Sequence, residues 1–189
     1  MQSNSNVLPG RNEAVGHNTE DKQYWCEEGQ KTEYVFVKDI APKINRKLII
    51  HPEKEKNPLH IDLLKTDTNE LADLKVQNTP FFTASRYSKF DGGRYDPQFT
   101  VTFNYKDYCN YKSNYPGAII YWWVNWAQLT WKDKSVAPLY GVYEVRFSDM
   151  KKLIEEKRVP LHQYQHRIND EINAKDSYLF DLRWFTKLL

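Results

Sequence analysis

Leu59-His60-Ile61-Asp62-Leu63-Leu64-Lys65-Thr66-Asp67-Thr68-Asn69-Glu70-Leu71-Ala72-Asp73-Leu74-Lys75-Val76-Gln77 is the stretch on which the fold turns. Two segments with alternating character flank Thr66 to Asn69, four residues that favour turns, and this predicts a β-hairpin over 59–65 and 70–77. Symmetric closure would set Lys65 opposite Glu70, Leu63 opposite Ala72 and Asp62 opposite Asp73. Side chains alternate between the faces of a strand, so His60, Asp62 and Leu64 share one face and Asp73, Lys75 and Gln77 share one face of the partner. Leu59, Ile61, Leu63, Ala72, Leu74 and Val76 take the opposite face. Like charges directly across a sheet repel. A divalent cation held by carboxylate oxygens is the simplest way to relieve Asp62 and Asp73, with Lys75 two residues along. The alternative is a wet outer face on which Lys75 neutralises Asp73.

Upstream, Thr32 is a candidate N-cap for a short helix through Ile40, ended by Pro42. Glu33, Phe36, Val37 and Ile40 fall at i, i+3, i+4 and i+7, the stripe a helix turns toward the protein. A carboxylate there needs a partner. Its plainer role is a favourable charge near the positive end of the helix dipole.

Downstream the pattern continues as mixed α and β. Leu48 to Ile50 reads as a short strand and His51 to Asn57 as a charged loop. Residues 78–97 read as irregular, Phe99 to Phe103 as a strand and Asp107 to Asn114 as a short helix. Ala118 to Trp126 is a continuous apolar and aromatic run, as in a central strand buried on both faces. Gly141 to Phe147 is a further strand. Ser148 is placed to cap a helix to about Arg158 with Met150, Leu153 and Ile154 as its apolar stripe. Pro160 is placed to open another helix to about Asn173, and Tyr178 to Trp184 closes as a strand. The order of elements indicates an α/β or α+β chain with a mixed sheet.

The chain has 189 residues, 27 basic and 25 acidic side chains, and hydrophobic residues make up 40% of it. That suits one globular domain over 22–189, preceded by a flexible tail over 1–21 that carries neither helical nor strand period. The longest apolar run falls far short of the roughly 20 residues of a membrane span, and Met1 to Gly10 lack a signal-peptide pattern, so a cytoplasmic protein without membrane contact is expected. A net charge of +2 announces no polyanionic partner. Cys26 and Cys109 lack disulfide or zinc-knuckle spacing and read as buried thiols.

Taken in order, Glu33 on a helix, Asp62 on a strand, and Asp73-Leu74-Lys75 with Gln77 on the next strand resemble the PD-(D/E)XK nuclease superfamily. The resemblance covers residues 31–77. It implies a restriction-endonuclease-like fold, a mixed central sheet flanked by helices, and Mg²⁺-dependent hydrolysis of DNA phosphodiesters, with Mn²⁺ as a substitute ion. It also implies that Asp62, Asp73, Glu33 and the Leu74 carbonyl hold the metal, that Lys75 positions or activates the attacking water, and that Gln77 supports the substrate or the metal shell. A homodimer would match the two strands of a duplex. Ile61 precedes Asp62, so the proline of the family's name is missing. Within the enzyme class the alternative is a junction resolvase or recombination exonuclease. Outside it, the alternative is a non-catalytic nucleic-acid- or carbohydrate-binding module.

Other features carry less. No G-x-x-x-x-G-K phosphate loop is present, which argues against ATP-driven action. His162 and His166 have the i, i+4 spacing of helical zinc ligands, but Gln163 stands where a zinc protease would carry Glu. Trp122, Trp123, Trp126 and Trp131 read first as core, and Lys89, Arg94, Lys106 and Lys112 as solvated surface with phosphate contact as their other use.

Overall fold

A computed structural model describes residues 22–57, 60–163 and 176–189, with side chains from residue 29 onward. The expected N-terminal tail lies outside these residues. In chain order the elements are α1 (Lys22–Val35), β1 (Leu48–Ile50), β2 (Leu63–Lys65), β3 (Glu70–Gln77), β4 (Thr100–Asn104), α2 (Tyr105–Asn114), β5 (Ile119–Asn125), β6 (Thr130–Trp131), β7 (Lys134–Ser135), β8 (Tyr140–Arg146), α3 (Phe147–Glu155), β9 (Leu161–His162), β10 (Ser177–Asp181) and β11 (Thr186–Lys187).

The central sheet is six-stranded, in the order β1-β2-β3-β5-β8-β11. It is mixed: β3 and β5 run parallel, joined by a crossover that contains α2, and every other pairing in it is antiparallel. The hairpin forms in the anticipated register, with Lys65 opposite Glu70 and Leu63 opposite Ala72. Its first strand is shorter than expected. Pairing stops at Leu63, so Asp62 precedes the ladder, and Ile61 packs in a different apolar cluster from Leu63. Val76, expected on the apolar face, is exposed.

β5 has the strongest sequence signal, and six of its seven residues are buried. Ile120, Trp122 and Val124 point to one face, where they meet Phe103 of β4, Tyr111 of α2, Phe147 and Met150 of α3 and Phe180 of β10. Ile119, Tyr121 and Trp123 point to the other, against Phe36, Ile40, Ala41 and Ile44. That second layer comes from α1, a π turn over Phe36–Ile40 and a 3₁₀ turn over Ala41–Ile44. A small second sheet, β4-β10-β9, adds to the first layer.

Several expected element ends move. α1 begins ten residues before Thr32, which therefore lies inside the helix and is not its cap. Pro42 does not stop the helical path; it opens the 3₁₀ turn, where its missing N–H costs nothing, and Asn45 ends that turn in the left-handed region at φ 53°. α3 is capped at Arg146 without a side-chain bond, so Ser148 lies within it. Met150 and Ile154 form its buried stripe, with Leu153 partly covered. After Pro160 the chain forms β9, because Leu161 and His162 pair with Tyr178 and Ser177. The remainder of the helix expected there lies outside the described residues. The strand expected over Tyr178 to Trp184, β10, ends at Asp181, and a 3₁₀ turn follows before β11. No helix is long and apolar enough to cross a membrane among the described residues.

A candidate carboxylate and lysine site beside strand β3

Alternation along β3 turns Ala72 and Leu74 into the α1-side core and directs Asp73 and Lys75 to the other face, among α2 and β4. Both faces of β3 are thus covered over this segment, which removes the wet outer face as the setting of Asp73. Asp73 is 3% exposed. Its Oδ2 stands 3.0 Å from the Lys75 ammonium, and the Tyr111 hydroxyl is near enough to favour its charged form. Lys75 donates to Asp107 at 2.7 Å and to the Tyr111 oxygen at 3.2 Å, and sits over the Tyr111 ring.

Burial is the largest influence on Asp73, and the charge of Asp62 adds to it. Lys75 and Tyr111 oppose both, and the net pKa is raised to about 6. Burial works against the charge of Lys75 too. Asp73, Tyr111 and Asp107 outweigh it and hold the pKa well above that of a free lysine. Lys75 is therefore a fixed positive charge at neutral pH.

Asp62 reaches β3 because the hairpin ladder ends before it. Its Oδ2 accepts from the Leu74 N–H at 3.2 Å, where a longer strand would have offered a backbone carbonyl. Its own carbonyl accepts from the His51 N–H at 2.8 Å, tying it to the segment after β1. That segment, expected as a loop, forms a 3₁₀ turn over Pro52–Glu55, with the His51 side chain accepting from the Glu53 N–H. Lys54 on this turn extends its ammonium to Asp62 Oδ1 and to Glu33 Oε1.

Glu33 lies on the predicted stripe with Phe36 and Ile40, partly buried, and burial raises its pKa against the pull of Lys54. Asp73 is near enough to raise it further, and Lys75 near enough to lower it. Glu33, Asp62, Asp73 and Lys75 thus gather in one region, although Lys54 rather than a carboxylate mediates the approach of Glu33 to Asp62. Two buried oxygens, Glu33 Oε2 and Asp73 Oδ2, accept no hydrogen bond, though the latter is ion-paired with Lys75. Among the described residues no three His, Cys, Asp or Glu side chains are arranged closely enough to hold a metal ion as they stand.

Gln77 follows on the same face of β3, but its amide serves the backbone. Oε1 accepts from the Thr102 N–H and Nε2 donates to the Thr79 carbonyl, so β3 is stitched to β4. Neither bond reaches the carboxylates. Leu74 contributes its N–H to Asp62 and its side chain to the core.

Lys54, Asp107 and Tyr111 were not legible as site residues. Lys54 lay in a charged run with no period. Asp107 and Tyr111 stand i, i+4 on α2, a spacing that puts them on one face, yet only the packing of α2 over β3 gives that face its meaning.

The remaining candidates fall into structural roles. Trp122, Trp123 and Trp126 are core, and Trp131 is partly exposed and stacked on Phe82. Lys89 pairs with buried Asp181 at 2.6 Å and Lys112 with Glu155 at 2.8 Å. Arg94 donates to the Arg86 carbonyl, and Lys106 is exposed. His162 is on a strand, where i, i+4 spacing no longer aligns ligands; it meets the Tyr87 hydroxyl at 2.5 Å, and His166 lies outside the described residues. Cys109 is exposed, contrary to the expectation of a buried thiol, because it occupies the outer face of α2. The Cys26 side chain is outside the description.

No family model, curated protein or solved structure matches the chain.

Proposed function

We propose that this chain is a metal-dependent nuclease of the PD-(D/E)XK type, hydrolysing DNA phosphodiester bonds with Mg²⁺, or Mn²⁺ in its place. One observation carries the reading: Asp73 and Lys75, two positions apart on β3, lie side by side, the acid buried and the lysine partly buried, with Asp62 bonded to the residue between them. A lysine and carboxylates placed there bring desolvation costs that a solvated surface pair would not have. The mixed sheet, with an antiparallel hairpin leading into a parallel strand and helices on both faces, supports a restriction-endonuclease-like arrangement.

The donors suit a hard cation. Glu33, Asp62, Asp73 and Asp107 supply four carboxylates around two ammoniums, and the buried Glu33 Oε2 accepts no hydrogen bond. Glu33, Asp62 and Asp73 would hold the ion, with the Leu74 carbonyl as a further oxygen. Bound there, Mg²⁺ supplies charge to the phosphate oxygens and makes a bound water a better nucleophile.

The chain's own residues do the rest. Lys75 keeps its proton, so it orients the attacking water and offsets the charge that builds on the phosphoryl oxygens; it is not a proton acceptor. Asp107 and Tyr111 hold the ammonium in place. The Asp62 carboxylate is fixed by the Leu74 N–H, which limits the reorganisation needed when charge develops. Gln77 acts through the β3 to β4 connection, as a support. A cytoplasmic homodimer acting on duplex DNA completes the proposal.

A second reading has its own support. Lys54 already neutralises Glu33 and Asp62, as it would in a nuclease-like domain that binds nucleic acid without cutting it. A carbohydrate-binding face finds less support, since three of the four tryptophans it would use are core.

The test is incubation of the purified protein with supercoiled, linear and branched DNA in Mg²⁺, Mn²⁺ or EDTA. Cleavage that needs the metal and disappears in Asp73→Ala is expected. DNA binding with no cleavage and no metal dependence would favour the second reading, and a preference for branched DNA would indicate a resolvase.

A further inference from the structure

We propose that Lys54 is an internal counter-cation: in the metal-free protein its ammonium bridges Glu33 and Asp62, and it leaves that bridge when a divalent cation binds there. The inference rests on the nuclease reading of the same site. It concerns how the site is held before the ion arrives.

The geometry gives each carboxylate one oxygen for the lysine and one for something else. Asp62 Oδ1 receives Lys54 while Oδ2 stays on the Leu74 N–H, so Asp62 is oriented by the backbone whether or not Lys54 is present. Glu33 Oε1 receives Lys54 while Oε2 is buried and accepts no hydrogen bond. The ammonium thus satisfies half of each group and leaves acceptor capacity on Glu33 Oε2, whereas Asp73 Oδ2 is already paired with Lys75 at 3.0 Å. A divalent ion, with six or more places for oxygen, can take the two oxygens that Lys54 now bridges and add water, which a single ammonium with three protons does not.

Lys54 is also placed to move. Its side chain is 11% exposed at the ammonium's destination, yet the turn that bears it, Pro52–Glu55, has no buried residue. The other residues of that turn are exposed, so the four-carbon stem can swing outward by rotation about its own bonds. The turn itself stays anchored by the His51 cap and by the His51 N–H to the Asp62 carbonyl. Its neighbours Glu53 and Lys56 pair with each other on the surface and make no claim on the site. Exchange therefore needs a side-chain rotation and no refolding. The bridge also gives the two mostly covered carboxylates, Glu33 and Asp62, a shared counter-charge without an ion.

Calorimetric titration of metal-stripped, full-length protein with Mn²⁺ tests this. Lys54→Met should bind Mn²⁺ at least about tenfold more tightly than the parent, because the competing charge is gone, while melting lower in EDTA. Lys54→Arg, which keeps the charge, should bind as the parent does. Lys54→Gln keeps a donor without the charge and serves if the Met variant does not fold. On the parent protein itself, reductive methylation read by mass spectrometry should label Lys54 slowly in EDTA and severalfold faster with saturating Mg²⁺. Equal Mn²⁺ affinity in the parent and the uncharged variants, or methylation of Lys54 unchanged by Mg²⁺ in a protein that binds it, overturns the role of Lys54 and leaves the nuclease reading standing. Absence of Mn²⁺ binding in every form overturns both.

Discussion

Asp73 and Lys75 lie two positions apart, and burial acts on them in opposite senses: it favours the neutral acid and disfavours the ammonium. The acid gives way, its pKa rising to about 6, while the lysine stays charged because Asp73, Tyr111 and Asp107 surround it. Lys75→Ala removes the ammonium and leaves every proposed metal ligand, so Mn²⁺ and DNA should still bind while cleavage drops about 10²–10³-fold, as for loss of a group that stabilises developing charge. Single-turnover cleavage beside a binding titration separates the two, and cleavage at the parent rate would put the active site elsewhere. The pKa of Asp73 also has a consequence for stability. Its folded value lies above the ordinary 3.8, so the folded state binds this proton more tightly than the unfolded state. The stabilisation is present at low pH and is lost as pH rises from about 4 to about 6, a change of roughly 3 kcal/mol for two pKa units of this size. Denaturant titrations in EDTA across that window should show this component of the slope in the parent and not in Asp73→Asn.

At the scale of elements, three features place the site. The early end of the β2 ladder frees the Leu74 N–H for Asp62, the 3₁₀ turn after β1 delivers Lys54, and α2 lays Asp107 and Tyr111 over β3. The central strand β5 holds these elements in register, with Asp73 paired to Ile120 and Lys75 to Trp122. Trp122 is 1% exposed, meeting Phe103, Phe180 and a stacked Phe185. Trp122→Ala should therefore cost about 3–5 kcal/mol of stability by leaving a large cavity, measurable by urea unfolding. A loss below about 1 kcal/mol would mean that the layer against this face repacks freely. The hairpin register and the burial of β5 were legible from local alternation and a continuous apolar run. The ends of α1 and α3 were not, since cap propensities of Thr32 and Ser148 amount to about 1 kcal/mol and tertiary packing outweighs them.

In the whole molecule, two apolar layers close over the central sheet and leave the carboxylates between β2, β3 and α1 as a charged inclusion at their margin. A cation that binds the folded chain alone must stabilise it by mass action, by about 2.7 kcal/mol at a hundredfold excess over its Kd. The melting temperature of the parent should rise with Mg²⁺ or Mn²⁺, and that rise should vanish in Asp73→Ala. An equal rise in both proteins would place the ion at another site.

The sequence by itself determined the hairpin and its register, the doubly buried strand β5, the inward stripe of Glu33, Phe36 and Ile40, and the pairing of Asp73 with Lys75 on one face. Each of these follows from a period of two or of about three and a half residues, and from turn chemistry acting over a few positions. Only the tertiary structure decided that Lys54 bridges Glu33 and Asp62, that Asp107 and Tyr111 enclose Lys75, that Gln77 is spent on the backbone of β4, and that Leu161 and His162 join a strand. Those contacts join residues far apart along the chain. They depend on how elements cross and on how far a flexible side chain reaches, neither of which leaves a period in the sequence to be read.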